Sequence, residues 1–281
     1  MKDLTVDNIY YLGPEGSYTH KALSLFVQEF NIKIGQYSPL RTIKSVLNQV
    51  DGNCNSLGVV PIENSIEGIV RESIDNLIRV EDSELKIIAE IVLPIDHCLL
   101  SKTKEKSKIK TVISHPQALA QCANYLEKNF EKVSILEETS TSAAAKRILN
   151  LDDTYAAIAN ETAAEVFGLN IIDKSINDEK DNRTRFILLG RKCFEPSGSD
   201  KTSIAFSTKN ISGALHKVLG VFDKYKLNLL YIDSRPSKKN LGEYMFFIDF
   251  EGHNKDVDVQ KALDELKNLV TFYRFNGSYK R

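Results

Sequence analysis

A hydroxyl and a guanidinium stand side by side where a polar stretch gives way to an apolar one. Thr184 and Arg185 follow Asp181-Asn182-Arg183, and a continuous apolar run begins at Phe186. This pattern predicts a loop that enters a buried strand, and α/β proteins bind ligands at strand ends. Thr184 could donate a hydrogen bond there, and Arg185 could bind an anion. A strand that begins with a β-branched residue and a solvated arginine is the simpler interpretation, unless other loops converge on it.

Other strand ends in the first 190 residues carry similar polar residues. Each predicted strand there runs into a short polar turn, and most of these turns open an apolar pattern with helical spacing. The polar residues at these junctions are Gly16-Ser17, Asn64-Ser65, His115 to Gln117, Ser140-Thr141 and Asn160. The N–H groups and the dipole of a helix N-terminus attract anions. Together with Thr184 they predict a crevice that suits a small polyanionic ligand.

Three of these side chains have a structural alternative to a role in chemistry. Glu63 is the acid best placed at its junction, but a lone glutamate is more often a cap or a surface charge. His115 precedes a proline at a helix start, so it could be an acid–base group or a cap. Arg185 could equally form a structural ion pair with Glu63 or Asp181.

Composition and motifs exclude several classes of function. The 281 residues carry a net charge of −1, which gives no electrostatic footprint for nucleic acid or an anionic membrane. The chain has no P-loop, no dinucleotide-binding glycine motif, no membrane-length apolar run and no signal peptide, so we expect a cytoplasmic protein. The cysteines, at 54, 98, 122 and 193, are widely spaced. We expect reduced, mostly packed thiols, no metal and no cofactor.

A change in composition divides the chain near residue 190. Residues 191–200 cluster Pro, Gly and Ser, which predicts a linker between a domain at 1–190 and a smaller one at 201–281. The smaller part reads as a βαββαβ unit, which is a ferredoxin-like module. Its most distinctive polar residues lie in the predicted loop Asp233-Ser234-Arg235-Pro236-Ser237.

Taken in order, these segments resemble the prephenate dehydratase family. The similar blocks are Gly13-Pro14-Glu15-Gly16-Ser17-Tyr18, Val60-Pro61-Ile62-Glu63-Asn64-Ser65, Ser114-His115-Pro116-Gln117-Ala118-Leu119-Ala120, Ser140-Thr141 and Asn182 to Phe186. The C-terminal module resembles the family's ACT regulatory domain through Gly213-Ala214-Leu215 and Asp233-Ser234-Arg235-Pro236. The ordered set covers nearly the whole chain.

The resemblance implies a fold, a reaction and a set of site residues. The expected fold is α/β, with a two-lobed catalytic domain like a periplasmic binding protein and a C-terminal ACT domain. The expected reaction converts prephenate to phenylpyruvate, water and carbon dioxide. The expected catalytic residues are Thr184, Glu63 and Ser65, with Thr184 donating a hydrogen bond to the departing hydroxyl and relaying a proton from Glu63 or water. The expected substrate-binding residues are Gly16, Ser17, Asn64, His115, Gln117, Ser140, Thr141, Asn160, Arg185 and Phe186.

The resemblance also implies feedback regulation by phenylalanine, bound between the ACT domains of two subunits in a homodimer or homotetramer. The expected effector-binding residues are Gly213, Ala214, Leu215, Asn228, Leu229, Asp233, Ser234, Arg235 and Pro236. We expect the effector's ammonium at Asp233 and its ring near Leu215 and Leu229, with Arg235 fixing the loop as an alternative. Two positions depart from the family pattern: His216 replaces a valine, and Asp233 replaces a glutamate.

Two alternatives remain at the level of function. An arogenate dehydratase shares these motifs, and a non-catalytic small-molecule sensor could share the fold. No helical chorismate mutase segment precedes Gly13, so we expect the monofunctional form.

Overall fold

The computed structural model of the protein describes residues 4–79, 83–236 and 244–281. The described residues fall into two compact units, each assembled from three pieces of chain. Unit 1 comprises Met1–Thr42, Glu63–Gly68 and Val92–Phe186. Unit 2 comprises Ile43–Ile62, Ile69–Ile91 and Ile187–Arg281.

Strands and helices alternate through the first 190 residues, as the polar junctions predict. The first half of this region contains β1 (Leu4–Leu12), α1 (Tyr18–Glu29), β2 (Ile32–Leu40), α2 (Ile43–Gly52), β3 (Ser56–Asn64), β4 (Gly68–Ile69), α3 (Arg71–Arg79) and β5 (Lys86–Pro94). The second half contains β6 (Cys98–Ser101), β7 (Thr111–Ser114), α4 (Pro116–Ala120), α5 (Ala123–Asn129), β8 (Ser134–Glu137), α6 (Thr141–Ile148), β9 (Tyr155–Ala159), α7 (Glu161–Phe167), β10 (Asn170–Asp173) and β11 (Arg183–Gly190).

Unit 1 contains a five-stranded sheet in the order β10-β6-β9-β7-β8. Alternate residues of its strands face opposite sides, so Leu100, Ala157 and Ala159 pack with α6 and α7. Leu99, Ala156 and Ile158 pack with α4 and α5 on the other side. The sheet is therefore covered by helices on both faces, which places several helix N-termini at its edge. Unit 1 also contains the parallel pair of β1 and β2.

Unit 2 contains the C-terminal module: β12 (Asp200–Ser207), α8 (Ala214–Lys224), β13 (Leu229–Pro236), β14 (Tyr244–Glu251), α9 (Val257–Lys267) and β15 (Phe272–Lys280). Its sheet has the order β13-β14-β12-β15, and all three strand pairings in it are antiparallel. Ile204, Phe206 and Phe250 pack with the two helices on one face of the sheet. The module is the ferredoxin-like βαββαβ unit that the sequence predicts.

Three strands, β3, β5 and β11, each pass from one unit to the other, with β11 between β3 and β5. Two backbone bonds locate the beginning of β11 in unit 1. The Ser65 N–H donates to the Arg183 carbonyl, and the Ile95 N–H donates to the Asn182 carbonyl, both at 2.8 Å. The first residues of β11 therefore lie beside the ends of β3 and β5.

The structure corrects several sequence predictions. Strands β2, β6 and β10 were missed: β2 is mostly exposed and lacks an alternating apolar pattern, while β6 and β10 have four residues each. Strand β11 begins at Arg183 rather than at Phe186. The predicted loop is wrong for Asp233 to Pro236, because these residues end β13 and pair with β14, and Ser237 lies outside the described residues.

Candidate active site

Asn64, the last residue of β3, is the centre of a hydrogen-bond network in unit 1. Its Nδ2 donates to Thr184 Oγ1 and to Asn182 Oδ1, both at 2.8 Å. Its Oδ1 accepts the backbone N–H groups of Ile66 and Glu67, both at 2.9 Å. A backbone N–H can only donate, so the orientation of the Asn64 amide is determined, and its two donors and two lone pairs are all used.

This network fixes the hydrogen-bonding role of Thr184. Its oxygen accepts from Asn64, so the hydroxyl proton remains available for another acceptor. Thr184 is the second residue of β11 and is 8% exposed. The structure thus places a preoriented donor at the edge of the sheet that the sequence identified, although within the strand rather than before it.

Ser65 joins the turn after β3 to the start of β11. Its Oγ accepts the Arg183 N–H at 2.9 Å and donates to the Asp181 carbonyl at 3.2 Å. Both partners are backbone groups. The Ser65 hydroxyl, expected to be catalytic, therefore holds in place the segment that carries Asn182 and Thr184.

Glu63 and Arg185 lie on the opposite face of these strands. Successive side chains of a strand alternate between faces, so the neighbours of Asn64 and Thr184 point away from them. Arg185 Nη1 lies 3.7 Å from Glu63 Oε2, and their side chains are 9% and 40% exposed. The structure therefore shows the ion pair that was the structural alternative for Arg185. It does not place Glu63 beside Thr184, so the expected direct relay between them has no geometric support.

The remaining predicted residues near this turn have structural contacts of their own. His115 caps α4, because its Nδ1 accepts the Gln117 N–H at 3.3 Å. Gln117 Nε2 donates to Glu67 Oε1 at 3.0 Å, which joins the start of α4 to the turn after β3. Phe186 is 2% exposed and belongs to the core.

A second group of predicted residues surrounds the turn between β1 and α1. Gly16 has a φ of +77°, and a Cβ there would lie 3.0 Å from Ser142 Oγ and 3.1 Å from Phe167. Ser142 is 1% exposed, and its hydroxyl donates to the Glu15 carbonyl. The turn is therefore seated directly on α6 and α7, and only glycine fits at its closest point.

Helix caps account for most of the hydroxyl and amide groups in this second group. Ser17 accepts the His20 N–H at 3.3 Å, Ser140 accepts the Ala143 N–H at 3.0 Å and Asn160 accepts the Ala163 N–H at 2.8 Å. Thr141 is the first residue of α6. The Ser17 hydroxyl also donates to the Leu12 carbonyl at 3.5 Å. Because the cap oxygens already accept within their helices, a ligand here would meet the first-turn N–H groups and the Ser140 hydroxyl proton.

Two histidines, the half-buried His20 and the buried His97, support these turns, and the sequence reasoning did not identify either one. His20 Nδ1 accepts the Gly16 N–H at 3.1 Å. His97 is 3% exposed, with its Nδ1 3.2 Å from the Tyr18 hydroxyl and its Nε2 3.1 Å from Gln121 Oε1. Burial lowers the pKa of both imidazoles. Neutral histidine therefore maintains these contacts near neutral pH.

The predicted effector residues lie on two different faces of the sheet in unit 2. Gly213, with a φ of +77°, precedes Ala214 and Leu215 at the start of α8. Leu215 and Leu229 pack on the core beneath the helices, and the Asn228 carbonyl accepts the Glu251 N–H. Asp233 Oδ2 lies 2.7 Å from Arg235 Nε.

Register shows which face Asp233 occupies. Asp233 and Arg235 lie opposite Phe247 and Met245, whereas Ser234 lies opposite Phe246, which packs under the helices. Asp233 and Arg235 are therefore on the face away from Leu215 and Leu229. A single chain does not bring Asp233 and these leucines to one face, so the expected effector site between two subunits stays a prediction. Ser234 and Pro236 are exposed on the helix side.

Other sequence expectations have simpler outcomes. Cys54, Cys98, Cys122 and Cys193 are all free thiols, but Cys54 and Cys193 are exposed, so the expectation of mostly packed thiols was half right. Among residues 4–79, 83–236 and 244–281, no group of three or more His, Cys, Asp or Glu could hold a metal ion. In the same ranges no helix is long and apolar enough to span a membrane.

The fold and these contacts define a class of protein: an α/β domain with a polar small-molecule site, followed by an ACT domain. The ACT domain model matches residues 202–268. The prephenate dehydratase model matches residues 9–193, which is more than half of the chain. The chain belongs to the prephenate dehydratase family.

Known proteins agree with this assignment. The prephenate dehydratase of Methanocaldococcus jannaschii is 42% identical over 96% of this chain and 97% of its own length. The bifunctional chorismate mutase/prephenate dehydratase of Aquifex aeolicus is 42% identical over 97% of this chain and 73% of its own length. The crystal structure of the Arthrobacter aurescens prephenate dehydratase in complex with L-Phe has a TM-score of 0.86 at 34% identity, covering 98% of this chain and 90% of that one.

Proposed function

We propose that Thr184, oriented by Asn64, assists the departure of the ring hydroxyl in the prephenate dehydratase reaction. As a member of this family, the chain converts prephenate to phenylpyruvate, water and carbon dioxide. The carboxylate bond to the ring breaks, its electron pair completes the aromatic ring, and the hydroxyl leaves. The prephenate dianion consumes one proton, since the hydroxyl departs as water and phenylpyruvate keeps one carboxylate.

The observation that carries this proposal is the fixed orientation of the Asn64 amide. Because Asn64 donates to the Thr184 oxygen, the threonine proton can point at a leaving oxygen and cannot be consumed by Asn64. A threonine hydroxyl is too weak an acid to transfer its proton outright. Its contribution is a preorganised hydrogen bond, with the net proton supplied by water, and such a donor is worth about 3–4 kcal/mol in comparable oxyanion sites.

The carboxylates of prephenate need several donors, and we assign them to the polar turns of unit 1. The first-turn N–H groups of α1 and α6, with the Ser140 and Thr141 hydroxyls, form one set. Ser17 caps α1 beside them, and its own hydroxyl donates to the Leu12 carbonyl. Gln117 forms another, since its amide lies at the start of α4 beside the Asn64 turn. Arg185 is paired with Glu63, so we propose that both support the start of β11 and do not bind substrate directly.

The test compares Thr184→Val with a control of the same burial. Thr103 is also 8% exposed, and its Oγ1 accepts the Glu105 N–H in a connecting segment of unit 1. We expect Thr184→Val to lower kcat by about 10²–10³-fold at unchanged fold, by loss of one donor. Thr103→Val should leave kcat unchanged. Near-full turnover of the Thr184→Val protein would overturn the assigned role.

We also propose that phenylalanine binds at the ACT domain and inhibits the enzyme. The supporting features are the start of α8 at Gly213 and the helix side of β13, where Ser234 is exposed and Ile232 is 46% exposed. Ile211 and Tyr244 are exposed as well, at 63% and 49%. An edge strand flanked by exposed apolar groups suits pairing with a second subunit, so the homodimer or homotetramer is assigned to this module.

The ligand proposal is tested by calorimetry with L-phenylalanine and the full chain. We expect saturable binding below millimolar concentration and reduced turnover at saturation. Absence of binding at millimolar phenylalanine would overturn the regulatory proposal without touching the catalytic one. Sedimentation of the same samples gives the oligomeric state.

The domain boundaries and the choice of substrate complete the proposal. We place the catalytic domain at 1–190, the linker at 191–200 and the ACT domain at 201–281, supported by the two family matches. The free thiols are consistent with a cytoplasmic protein. Parallel assays with prephenate and arogenate distinguish this enzyme from an arogenate dehydratase, and turnover of neither would indicate a sensor.

A further inference from the structure

One face of the ACT sheet is buried although the module's own helices do not cover it. Helices α8 and α9 pack on the face that contains Ile204 and Phe206. On the other face, Ser203 lies opposite Asp249 and Ala205 lies opposite Phe247. All four residues are fully buried, at 0% exposure. Another part of unit 2 must therefore cover this face.

The covering element is β5 and the residues just before it. Gly277 of β15 has a φ of +136°, and a Cβ there would overlap the Ile87 carbonyl. The Arg274 guanidinium donates to the Leu85 carbonyl at 3.3 Å. The Lys86 ammonium donates to the Phe275 carbonyl at 2.8 Å. Strand β5 of the catalytic domain is thus seated directly on the ACT sheet, with backbone touching backbone.

A buried ion pair fixes the position of β5 on this face. Lys201 Nζ lies 2.7 Å from Glu90 Oε1, and their side chains are 10% and 7% exposed. By contrast, the Lys255–Glu195 pair at 2.6 Å has side chains that are 50% and 82% exposed. A buried ion pair adds little net stability compared with an apolar pair of residues. Separating its two partners, however, leaves both charges buried without a counterion. The ion pair therefore favours one position of β12 against β5 over all others.

Polar contacts on the same face extend from this pair to the far edge of the ACT sheet. Ser203, two residues after Lys201, donates to Asp249 Oδ1 at 2.5 Å and lies 2.8 Å from the Tyr279 hydroxyl. Asp249 lies opposite Tyr231 of β13. Two residues further along β13, on the same face, Asp233 pairs with Arg235. Strand β13 is thus joined to β12 through β14, with polar residues on the face that β5 covers.

The other end of β5 leads to the catalytic residues. After β5 ends at Pro94, the Ile95 N–H donates to the Asn182 carbonyl at 2.8 Å. Asn182 accepts from Asn64 and lies two residues before Thr184. One strand therefore contacts the ACT sheet along its first part and the start of β11 just beyond its last residue.

We propose that the Lys201–Glu90 ion pair is the contact through which the ACT domain controls β5, and through β5 the segment that carries Thr184. This inference rests on the proposed regulation by phenylalanine. The effector changes the position of β12 against β5. The buried ion pair makes this a change between two positions, because any intermediate position would leave two buried charges without a counterion. Neither residue is part of the catalytic or effector-binding machinery.

The test replaces both residues of the ion pair and measures the inhibition of turnover by phenylalanine separately from the binding of phenylalanine. In Lys201→Met/Glu90→Leu, an apolar pair of similar volume fills the site, so the fold is expected to survive. We expect kcat without effector and the phenylalanine Kd to stay within about threefold of wild type. The coupling factor, which is the ratio of activity without and with saturating phenylalanine, should fall by about fivefold or more. If the double variant does not fold, Glu90→Gln serves instead, with a smaller loss in the same direction.

The control is Lys255→Gln/Glu195→Gln, which removes an exposed ion pair of the same length in the same unit. It should keep the wild-type coupling factor. Full coupling in Lys201→Met/Glu90→Leu would overturn this inference and leave the proposed regulation intact. A wild-type enzyme that phenylalanine does not inhibit would overturn both. Hydrogen exchange at Ile87–Ile91 gives a second readout: phenylalanine should change it in the wild type and not in the double variant.

Discussion

The start of β11 and the buried face of the ACT sheet solve the same problem in different ways. Both contain polar side chains shielded from water, and both satisfy them by hydrogen bonds. At the start of β11, the partners of Asn64 include the N–H groups of its own turn, two and three residues away. On the ACT face, Ser203 bonds Asp249 and Tyr279 from two other strands. The first network is held by local chain geometry and the second by strand register.

This difference predicts different consequences of mutation. A change in the first network that spares the turn should alter chemistry and leave the fold intact. A change on the ACT face should cost stability, because strand packing itself depends on it. The following experiments test that separation, from the largest expected effect to the smallest.

Asn64→Asp should give the largest loss of activity. The new carboxylate keeps an acceptor for the Ile66 and Glu67 N–H groups but has no donor for Thr184 and Asn182. The threonine proton would then be drawn to the carboxylate, away from the leaving oxygen. We expect kcat to fall by about 10²–10³-fold with little change in Tm. Asn53→Asp is the control, because Asn53 Oδ1 accepts the Asn55 N–H in a similar turn and should tolerate the change.

Gly277→Ala should give a large loss of stability. A Cβ at this position overlaps the Ile87 carbonyl, and the positive φ is unfavourable for alanine. We expect the free energy of unfolding, measured with urea, to fall by about 3 kcal/mol or more. Gly220→Ala is the opposite control, since nothing lies within 4 Å of a Cβ there and the residue is inside α8. The free energy of unfolding of this variant should rise by about 0.5–1 kcal/mol.

Stability should fall in acid through the buried His97 and the half-buried His20. Burial lowers the folded-state pKa of His97 and His20 below the unfolded value of about 6.5. Between the two values the unfolded chain binds more protons, so the free energy of unfolding decreases as pH falls below about 6.5. His97→Gln should flatten this slope. His216→Gln, on the exposed side of α8, should leave it unchanged, and equal slopes in all three proteins would contradict the assignment.

Glu63→Gln should have the smallest effect of the series. Glu63 is on the face opposite Thr184, and its ion pair with Arg185 is partly exposed, so the pair contributes at most about 1 kcal/mol. We expect kcat within about threefold of wild type. A loss approaching that of Thr184→Val would instead restore Glu63 as the source of the proton.

The sequence predicted proximity where polar residues lie in short turns. Asn64, Ser65 and Thr184 were expected at one site because each follows or begins an apolar strand. The structure bonds Asn64 to Thr184 and Ser65 to the Arg183 N–H, and their catalytic roles stay predictions. The expected relay between Glu63 and Thr184 has no geometric support because β3 continues through Glu63 to Asn64. Only the full strand length shows that Glu63 and Asn64 point to opposite faces.

The same limit explains the errors in the ACT domain. A proline and neighbouring polar residues at Asp233-Ser234-Arg235-Pro236 are typical of a loop, but backbone pairing with β14 extends β13 through them. Asn182 belongs to the same motif as Thr184, but its role depends on the Asn64 amide beside it and has no local sequence signal. Lys201 and Glu90 had no local pattern at all, because their contact depends on how β12 meets β5.

The three strands shared by both units also constrain how the chain can fold while it is being synthesised. Strand β11 lies between β3 and β5, yet it is made after both, and residues 95–182 intervene. While the ribosome makes that intervening stretch, β3 and β5 have no β11 to occupy the space between them, and unpaired strand edges favour aggregation. The strand that carries Thr184 therefore completes this sheet last. A nascent chain stalled before residue 190 would leave the facing edges of β3 and β5 unpaired and prone to aggregation.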